Sequence, residues 1–270
     1  MENEMLQRMM AFANSLPEKE KSRSSQDLID CHVCGGIGYT LQDEGGYEVA
    51  VPCRCLPQRI LRDRIRFLDL PLSLANMRLK DFSLGVYSRE SKPIAMAACQ
   101  AIKYYLDNFD QMRTEGKGLY LYSAKKGSGK TRMAASIAND LIHNHDISVK
   151  FMTSPAILDE IKSSWGSKEY TERQVLDMLF MVPVLVVDDF GAEKATDWTN
   201  DRFYQIINER YTNNRITIFT SNMSLRNLKY DDRITDRIKE KCLQIDFPEE
   251  SVRERLSEDN HMKFMESVCK

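Results

Sequence analysis

The sequence predicts an α/β fold, a parallel and doubly wound sheet that carries a phosphate-binding loop, and three observations lead to this prediction. An apolar run at residues 118–123 leads into a glycine-rich turn, and a helical pattern follows at once. A second run, residues 184–187, is apolar at every position and ends in two carboxylates. Short apolar runs alternate with helical patterns from residue 79 to residue 248, which is typical of βαβ units.

Five strands and five helices make up this predicted core. Runs that are apolar at every position indicate strands buried on both faces of a parallel sheet. The predicted strands are residues 119–123, 149–153, 184–188, 216–221 and 243–247. The predicted helices are residues 91–108, 130–143, 156–163, 171–180 and 200–213.

Composition sets limits on the class of protein. The chain has 270 residues, of which 42% are hydrophobic, enough for one α/β core and a small additional module. A net charge of −2 gives no overall attraction to nucleic acid, so any such contact must be local. No apolar run approaches the ~20 residues of a membrane span, and residues 1–30 lack the apolar core of a signal peptide. These features favour a cytoplasmic protein with no membrane contact.

The glycine-rich turn has the residue types of a nucleotide phosphate site. Glycines let the backbone turn its N–H groups toward a phosphate, and the helix N-terminus that follows adds a positive dipole end. Lys130 can reach the β- and γ-phosphates, and the Thr131 hydroxyl can bind Mg²⁺. Ala124 stands where the usual pattern begins with glycine. The predicted nucleotide-binding residues are Lys126, Gly127, Ser128, Gly129, Lys130 and Thr131.

The apolar run at 184–187 predicts a second part of the same site. Its C-terminal end carries Asp188 and Asp189, and open α/β sheets bind ligands at that edge. Asp188 is predicted to hold Mg²⁺ through water, as a Walker B aspartate does. Asp189 stands where many ATPases carry the glutamate that polarises the attacking water. Aspartate is one methylene shorter, so we expect slow hydrolysis.

Three further polar residues are candidates for the reaction. Asn222 follows the strand at 216–221 and can orient the attacking water, although Ser221 or Asn222 can equally serve as a turn or cap, and both roles can coexist. Arg233 and Arg237 lie four residues apart on one predicted helix face. Either can reach the γ-phosphate of a neighbouring subunit, or both can belong to a surface ladder that pairs with Asp232 and Asp236.

Four cysteines have the spacing of a zinc ligand set. Cys31 and Cys34 lie in a glycine-rich turn, and Cys53 and Cys55 follow a predicted hairpin. Four thiolates in tetrahedral geometry make a closed, structural Zn²⁺ site, which would supply the folding energy that so short a segment lacks. Two alternatives stay open: His32 replaces one cysteine, or Cys-x-x-Cys is a redox pair, although the βαβ context of such a pair is absent.

The chain divides into five predicted segments. Residues 1–30 carry apolar side chains at helical spacing, and residues 31–57 form the zinc-binding module. Residues 58–78 contain a basic linker helix that packs on the next domain or contacts nucleic acid or an acidic partner. Residues 79–248 form the α/β domain, and residues 249–270 are a charged tail that is too short for a helical lid.

These residues together resemble the DnaC/DnaI family of replicative helicase loaders, which are AAA+ ATPases without a lid. The resemblance covers residues 31–248 and is most specific at residues 187–194, 208–211, 220–225 and 232–238. It implies ATP, Mg²⁺ and Zn²⁺ as ligands. The implied site residues are Lys130 and Thr131 (Walker A), Asp188 and Asp189 (Walker B), Asn222 (sensor 1) and either Arg237 or Arg233 (arginine finger).

The resemblance also implies partners. The zinc module would grip a hexameric replicative helicase, and the core would bind single-stranded DNA and self-associate in its ATP state. Residues 163–170, which include Trp165 and Lys168, are a candidate DNA contact, or an ordinary loop with a partly buried tryptophan.

Two other functions remain as alternatives. An IstB-like transposition helper would share the ATPase core and assemble on duplex DNA, although that class usually lacks a zinc module. An adaptor that binds nucleotide with little turnover is suggested by Ala124 and Asp189.

Overall fold

The computed structural model describes residues 31–268 except Gly36, Glu44 and Glu169, so the predicted helix within residues 1–30 lies outside the described residues. The strands are β1 (Tyr39–Asp43), β2 (Glu48–Pro52), β3 (Gly118–Tyr122), β4 (Val149–Thr153), β5 (Val184–Asp188), β6 (Ile216–Ser221) and β7 (Cys242–Asp246). The helices are α1 (Leu56–Leu68), α2 (Lys92–Asp107), α3 (Phe109–Glu115), α4 (Lys130–Asn144), α5 (Ser154–Ser163), α6 (Glu172–Met181), α7 (Asp197–Thr212), α8 (Asp232–Lys241) and α9 (Val252–Val268).

The five predicted core strands form one parallel sheet, so the predicted fold class is confirmed. The strand order is β4-β5-β6-β3-β7. Strand β6 therefore lies between β3, which leads into the phosphate loop, and β5, which ends in Asp188. The register pairs Tyr122 with Ser221 and Thr153 with Asp188, which brings the C-terminal ends of these strands to one edge.

The sheet is covered by helices on both faces. Leu119 and Leu121 are fully buried on one face, in an apolar cluster that includes side chains of α2, α3 and α4. Tyr120 points to the opposite face, into a second cluster built from α5, α6, α7 and α8. This alternation explains why the core strands are apolar at every position. Among the described residues, no helix combines the length and apolarity that a membrane span needs.

A separate two-stranded hairpin precedes the sheet. Strands β1 and β2 pair antiparallel with Tyr39 opposite Pro52, and the Cys53 N–H donates to the carbonyl of Gly38 at 2.9 Å. Residues 31–55 are called the cysteine module below. Helix α1 follows directly and buries Phe67 and Leu68 in the two core clusters, as a packed linker helix does.

Two elements differ from the sequence-based expectation. The pattern that predicted one helix over residues 91–108 is followed at once by α3, which ends where Gly116 adopts a left-handed conformation, φ 65°. The predicted charged tail is helical from Val252 onward and is held at its start by the phosphate loop, as shown below.

Candidate nucleotide site and cysteine cluster

The phosphate loop joins β3 to α4, as predicted. Gly127 and Gly129 have φ values of 79° and 100°, which L-residues with a side chain rarely adopt. A Cβ on Gly129 would lie 2.6 Å from the Tyr87 hydroxyl oxygen, and one on Gly127 would lie 2.8 Å from Ser251 Oγ. Both glycines are therefore required by backbone conformation and by the elements that pack on the loop.

The Lys130 amino group is buried at the centre of the site. It donates to the carbonyls of Ser123 and Lys125 and to Ser128 Oγ, each at 3.2 Å. It also donates to Asn222 Oδ1 at 2.9 Å, which joins the loop to the end of β6. Burial lowers the pKa of Lys130, an effect opposed by nearby carboxylates. An anion in the loop would restore the favourable environment of this cation.

The two predicted Mg²⁺ ligands lie together. Thr131 Oγ1 donates to Asp188 Oδ1 at 2.9 Å, and Thr220 Oγ1 donates to the same oxygen at 2.6 Å. Burial is the main cause that raises the pKa of Asp188, and the adjacent Asp189 raises it further. These oxygen atoms are suitable ligands for Mg²⁺, and the cation would offset the cost of burying the carboxylate.

Asp189 is exposed at the tip of β5 and has φ 54°, an uncommon conformation outside glycine. Its N–H donates to Thr220 Oγ1 at 3.0 Å, and its carbonyl accepts from Ser154 Oγ at 3.0 Å. Ser154 also donates to Glu193, a carboxyl group that the sequence analysis missed. Burial raises the pKa of Glu193.

The structure separates the two roles considered for the end of β6. Ser221 forms the turn, because its Oγ accepts from the Met223 N–H at 3.0 Å. The Asn222 side chain instead accepts from Lys130. Asn222 therefore faces the phosphate loop, where a water-orienting residue would be needed.

The two arginines of α8 have different surroundings. Arg233 donates to both carboxylate oxygens of Asp231 at 3.0 Å, which lowers the pKa of Asp231. Arg237 donates to the Arg233 carbonyl and lies over the ring of Tyr204. The alternative of a surface ladder with Asp232 and Asp236 is wrong in its pairing. Asp231 caps the helix and accepts from Arg233, whereas Asp236 pairs with Lys239. The described contacts of both arginines lie outside the phosphate loop.

The C-terminal segment is a part of the site that the sequence analysis missed. The Glu249 carboxylate accepts from the N–H groups of Ala124 and Lys125 at 2.8 and 2.9 Å. The Val252 N–H donates to the Gly127 carbonyl at 3.0 Å. Glu249 thus caps the start of the loop at the position where alanine replaces the usual glycine. These partners lie about 125 residues apart in sequence, so local patterns give no sign of them.

A second covering element lies between α1 and α2. The Tyr87 hydroxyl donates to the Ser128 carbonyl at 2.8 Å, and burial raises the pKa of Tyr87. Phe82 stacks on Tyr87 with ring centroids 6.1 Å apart. The phosphate loop is therefore enclosed from two sides, by residues 82–87 and by the C-terminal segment.

The candidate DNA-contact loop has one exposed aromatic side chain. Trp165 is 59% exposed and lies edge-on to Trp198 at 5.8 Å, so it is more open than the partly buried tryptophan considered above. The Lys162 ammonium lies 4.9 Å from the Trp198 ring centroid. The Trp165 N–H donates to Glu172 at 2.6 Å.

The four predicted cysteines meet in the cysteine module. Their sulfur atoms all lie within 4.8 Å of one another. The distances are 3.7 Å for Cys31–Cys53 and 3.4 Å for Cys34–Cys55. Thiolates around a tetrahedral Zn²⁺ lie about 3.8 Å apart, given Zn–S bonds of about 2.3 Å. The cluster can therefore hold a metal ion of this size. His32 is exposed and lies outside the cluster.

The thiols compete for negative charge. The Gly38 N–H donates to the Cys34 sulfur at 3.3 Å and lowers the pKa of Cys34 to about 6. The shared hydrogen bond with Cys34 raises the pKa of Cys55 to about 12. A divalent cation would end this competition, because all four ligands are then stabilised as thiolates. All four cysteines are free of disulfides.

The fold and the loop define a P-loop nucleotide-binding core of the AAA+ type. The chain belongs to the family of IstB-like ATP binding proteins, whose sequence profile matches residues 116–260. Within it the chain is DnaC/DnaI-like, as the resemblance predicted.

Three relatives illustrate what the chain is similar to. The chain is 25% identical over 228 residues to phage-like element PBSX protein XkdC of Bacillus subtilis (strain 168), covering 82% of both chains. It is 36% identical over 141 residues to the replicative helicase loader DnaI of the same organism, covering 52% of this chain and 44% of DnaI. It is 30% identical over 186 residues to the replicative helicase loader DnaC of Buchnera aphidicola subsp. Baizongia pistaciae, covering 67% of this chain and 69% of that protein.

Solved structures give the same fold. A crystal structure of DnaI is 28% identical, has a TM-score of 0.55 and covers 67% of this chain and 95% of that one. A crystal structure of the DnaC helicase loader has a TM-score of 0.55 at 24% identity, covering 66% of this chain and 99% of that one. At that identity the second match supports the fold alone.

Proposed function

We propose that this protein is an ATP-dependent loader that places a replicative DNA helicase on single-stranded DNA in the cytoplasm. The observation that carries the proposal is the meeting of Lys130 with Asn222, and of Thr131 with Asp188, at one edge of the sheet. Relatives that are named replicative helicase loaders support helicase loading as the function that this nucleotide site would drive.

The chain's own residues supply the parts of an ATP switch. The Lys130 ammonium, now bonded to Ser123, Lys125 and Ser128, would exchange these oxygens for those of the β- and γ-phosphates. Thr131 and Asp188 would supply oxygens for Mg²⁺, which neutralises the charge of the phosphates when bound.

Asn222 and Asp189 would act on the attacking water. The Asn222 amide faces the Lys130 ammonium and would orient the water toward the γ-phosphate. Asp189 would polarise it, with a reach one methylene shorter than that of glutamate. We therefore expect slow turnover that a partner accelerates, and an adaptor with little turnover is the limiting case of the same site.

Self-association in the ATP state would complete the site. An arginine finger must offer its charge to the nucleotide of a neighbouring copy. Arg233 forms an ion pair with Asp231, whereas Arg237 donates its hydrogen bonds to uncharged oxygens, the Arg233 carbonyl and the Tyr204 hydroxyl. We therefore assign the finger to Arg237.

The cysteine module would hold Zn²⁺ and grip the helicase. Four sulfur atoms at the spacing of a tetrahedral site support Zn²⁺ as the metal. The module exposes large apolar side chains, with Leu41 and Tyr47 at 65% and 78% exposure. Such side chains suit a protein partner.

Single-stranded DNA would meet the core near Trp165. An exposed tryptophan offers a face on which a base can stack, and Lys162 adds positive charge over the ring of the neighbouring Trp198. Binding there would couple to the nucleotide site through α5, because Ser154 at its start bonds the Asp189 carbonyl.

The test is co-migration with the replicative helicase of the same host on size exclusion, with ATP and Mg²⁺ present. We compare the full chain with a chain shortened to begin at Leu56, where α1 starts. The full chain should form a complex and the shortened chain should not. Lys130→Ala serves as the control for nucleotide dependence, because it removes the phosphate contact and leaves the cysteine module intact.

A second candidate function has its own support. The family profile that matches residues 116–260 is named for IstB. If no helicase complex forms under any nucleotide condition, the helper of a transposase becomes the better assignment. Binding of duplex DNA and of a transposase encoded nearby would then be measured next.

A further inference from the structure

Helices α7 and α8 present an alternating stack of cations and aromatic rings. Arg233 and Arg237 lie 4.5 and 5.0 Å from the ring centroid of Tyr204. Arg237 and Lys241 lie 5.5 and 5.6 Å from that of Tyr211. The two tyrosines are seven residues apart on α7 and the three cations are four apart on α8, so each set occupies one helix face.

Arg237 is the one cation of the three with both tyrosines beside it. Its Nη2 donates to the Tyr204 hydroxyl at 3.4 Å, and its Nη1 donates to the Arg233 carbonyl at 2.9 Å. The Tyr211 hydroxyl donates to Glu240 at 2.8 Å, which fixes the second ring. The guanidinium is therefore bracketed by two aromatic rings and a backbone carbonyl.

The bracket holds the side chain without neutralising it. Ring faces attract a guanidinium through their quadrupole and leave its full positive charge in place. Asp231, in contrast, offsets the charge of Arg233 with a bidentate carboxylate. The Arg237 Nε atom is buried and has no hydrogen-bond partner within the part of the chain that the structure describes. An external anion would find Arg237 charged and already restricted to few rotamers.

We propose that Tyr204 and Tyr211 are positioning residues for Arg237, and that they hold its guanidinium ready for the γ-phosphate of ATP on a neighbouring copy of this chain. The inference rests on the proposed trans role of Arg237. Restricting the arginine beforehand lowers the entropy lost when it meets the phosphate, so the tyrosines act on the rate of hydrolysis by the neighbouring copy.

The test mixes two inactive chains. The recipient, Arg237→Ala, has an intact phosphate loop and no finger. The donor, Lys130→Ala, has an intact finger and no productive loop. Interfaces between donor and recipient should regain ATPase activity in the presence of single-stranded DNA. The decisive donors then carry Lys130→Ala together with Tyr204→Ala or Tyr211→Ala.

Each second change in the donor should lower the restored kcat about tenfold, the order expected for a loss of pre-organisation. The KM for ATP should stay the same, because the recipient's loop is unaltered. Tyr204→Phe and Tyr211→Phe keep the ring face and should remain within about twofold of the original donor. Tyr104→Ala, a 64% exposed tyrosine on α2, is the matched control and should have no effect.

Two results would overturn the proposal in distinguishable ways. If the original donor and recipient regain no activity, the trans finger itself is refuted. If they do, and the Tyr204→Ala and Tyr211→Ala donors restore activity equally well, the positioning role of the two tyrosines is refuted, whereas the trans role of Arg237 is supported. Tyr204→Leu keeps apolar volume without a ring, so it replaces Tyr204→Ala if that donor melts early, and it should also fail to restore the rate.

Discussion

The cysteine module and the α/β core are stabilised by opposite means. The core has two apolar clusters, one on each face of its sheet. The buried hydrophobic residues of the module are Cys34, Cys53 and Cys55, among the residues that the structure describes there. Its larger apolar side chains, such as Leu41 and Tyr47, are exposed. A segment with so little apolar core needs another source of folding free energy, and a metal ion held by the four cysteines would supply it.

The difference also separates two kinds of sensitivity. Cavities and unpaired polar groups should lower the free energy of unfolding of the core, as they do in other packed interiors. The module should respond to chelators and to loss of a single thiol. Perturbing one region should leave the other folded, because each has its own buried cluster. The buried end of the connecting helix α1, Phe67 and Leu68, belongs to the core clusters and not to the cysteine cluster.

The largest expected effect is that of removing the metal ion that the cysteine module is proposed to hold. Chelation, or Cys34→Ser, should raise hydrogen exchange across residues 31–55 to the level of an unfolded chain, because the described residues of the module bury no hydrophobic side chains besides cysteines. The melting temperature of the α/β core should change by no more than about 2 °C. Hydrogen exchange with mass spectrometry reads both regions in one sample.

Cys99→Ser is the matched control, since Cys99 lies on α2 outside the cluster. It should keep the metal and the protection of the module. A reduced, chelator-free preparation with far less than about one Zn²⁺ per chain would contradict the metal assignment.

The buried Arg210 side chain allows the stability of the core to be tested without a change in the cysteine module. This side chain is 1% exposed and donates to the carbonyls of Leu179 and Val182 at 2.6 and 2.9 Å and to Thr217 Oγ1 at 2.9 Å. Burial lowers its pKa to about 9. Arg210→Ala leaves these oxygens without their donor and should cost about 3–5 kcal/mol of the free energy of unfolding.

Denaturant unfolding of the core gives this value, and metal content reports on the module. The metal content should stay unchanged, which would sharpen the contrast between the regions. Arg226→Ala removes an exposed arginine and should stay within about 0.5 kcal/mol of the natural protein. Loss of metal in Arg210→Ala would mean that the two regions fold as one unit.

The sequence predicted what depends on local pattern. Strand β5 and the phosphate loop follow from apolar periodicity and from glycines at required positions, so their bounds agree within a residue. The position of Asn222 beside the strand that ends in Asp188 also follows, because parallel strands end at one sheet edge. The predicted hairpin likewise brought the four cysteines together, because its two ends lie side by side.

What the sequence could not predict depends on contacts between distant segments. Tyr87 and Ser128 lie 41 residues apart, and Glu249 reaches the loop from the far end of the domain. The ladder considered for α8 has the wrong pairs for a local reason. The helix starts one residue after Asp231, and the carboxylate of this N-cap residue accepts from Arg233. Helix periodicity alone gives neighbours at i,i+4 and says nothing about a cap's side chain.

The smallest expected effect concerns the polar joint between the core and its C-terminal helix. Glu249→Ala removes the acceptor of the Ala124 and Lys125 N–H groups. Both N–H groups can turn to water at this exposed position, so the cost should be only about 1 kcal/mol. Hydrogen exchange at the start of α9 should increase, because Val252 depends on the same loop.

Glu254→Ala is the matched control, since its ion pair with Lys125 spans 3.4 Å between two exposed side chains. It should cost less than about 0.5 kcal/mol and leave α9 exchange unchanged. Equal effects of the two variants would contradict a specific cap by Glu249. A larger effect of Glu249→Ala confined to α9 would mean that the joint anchors this helix to the nucleotide site, whereas the apolar clusters of the core hold without it.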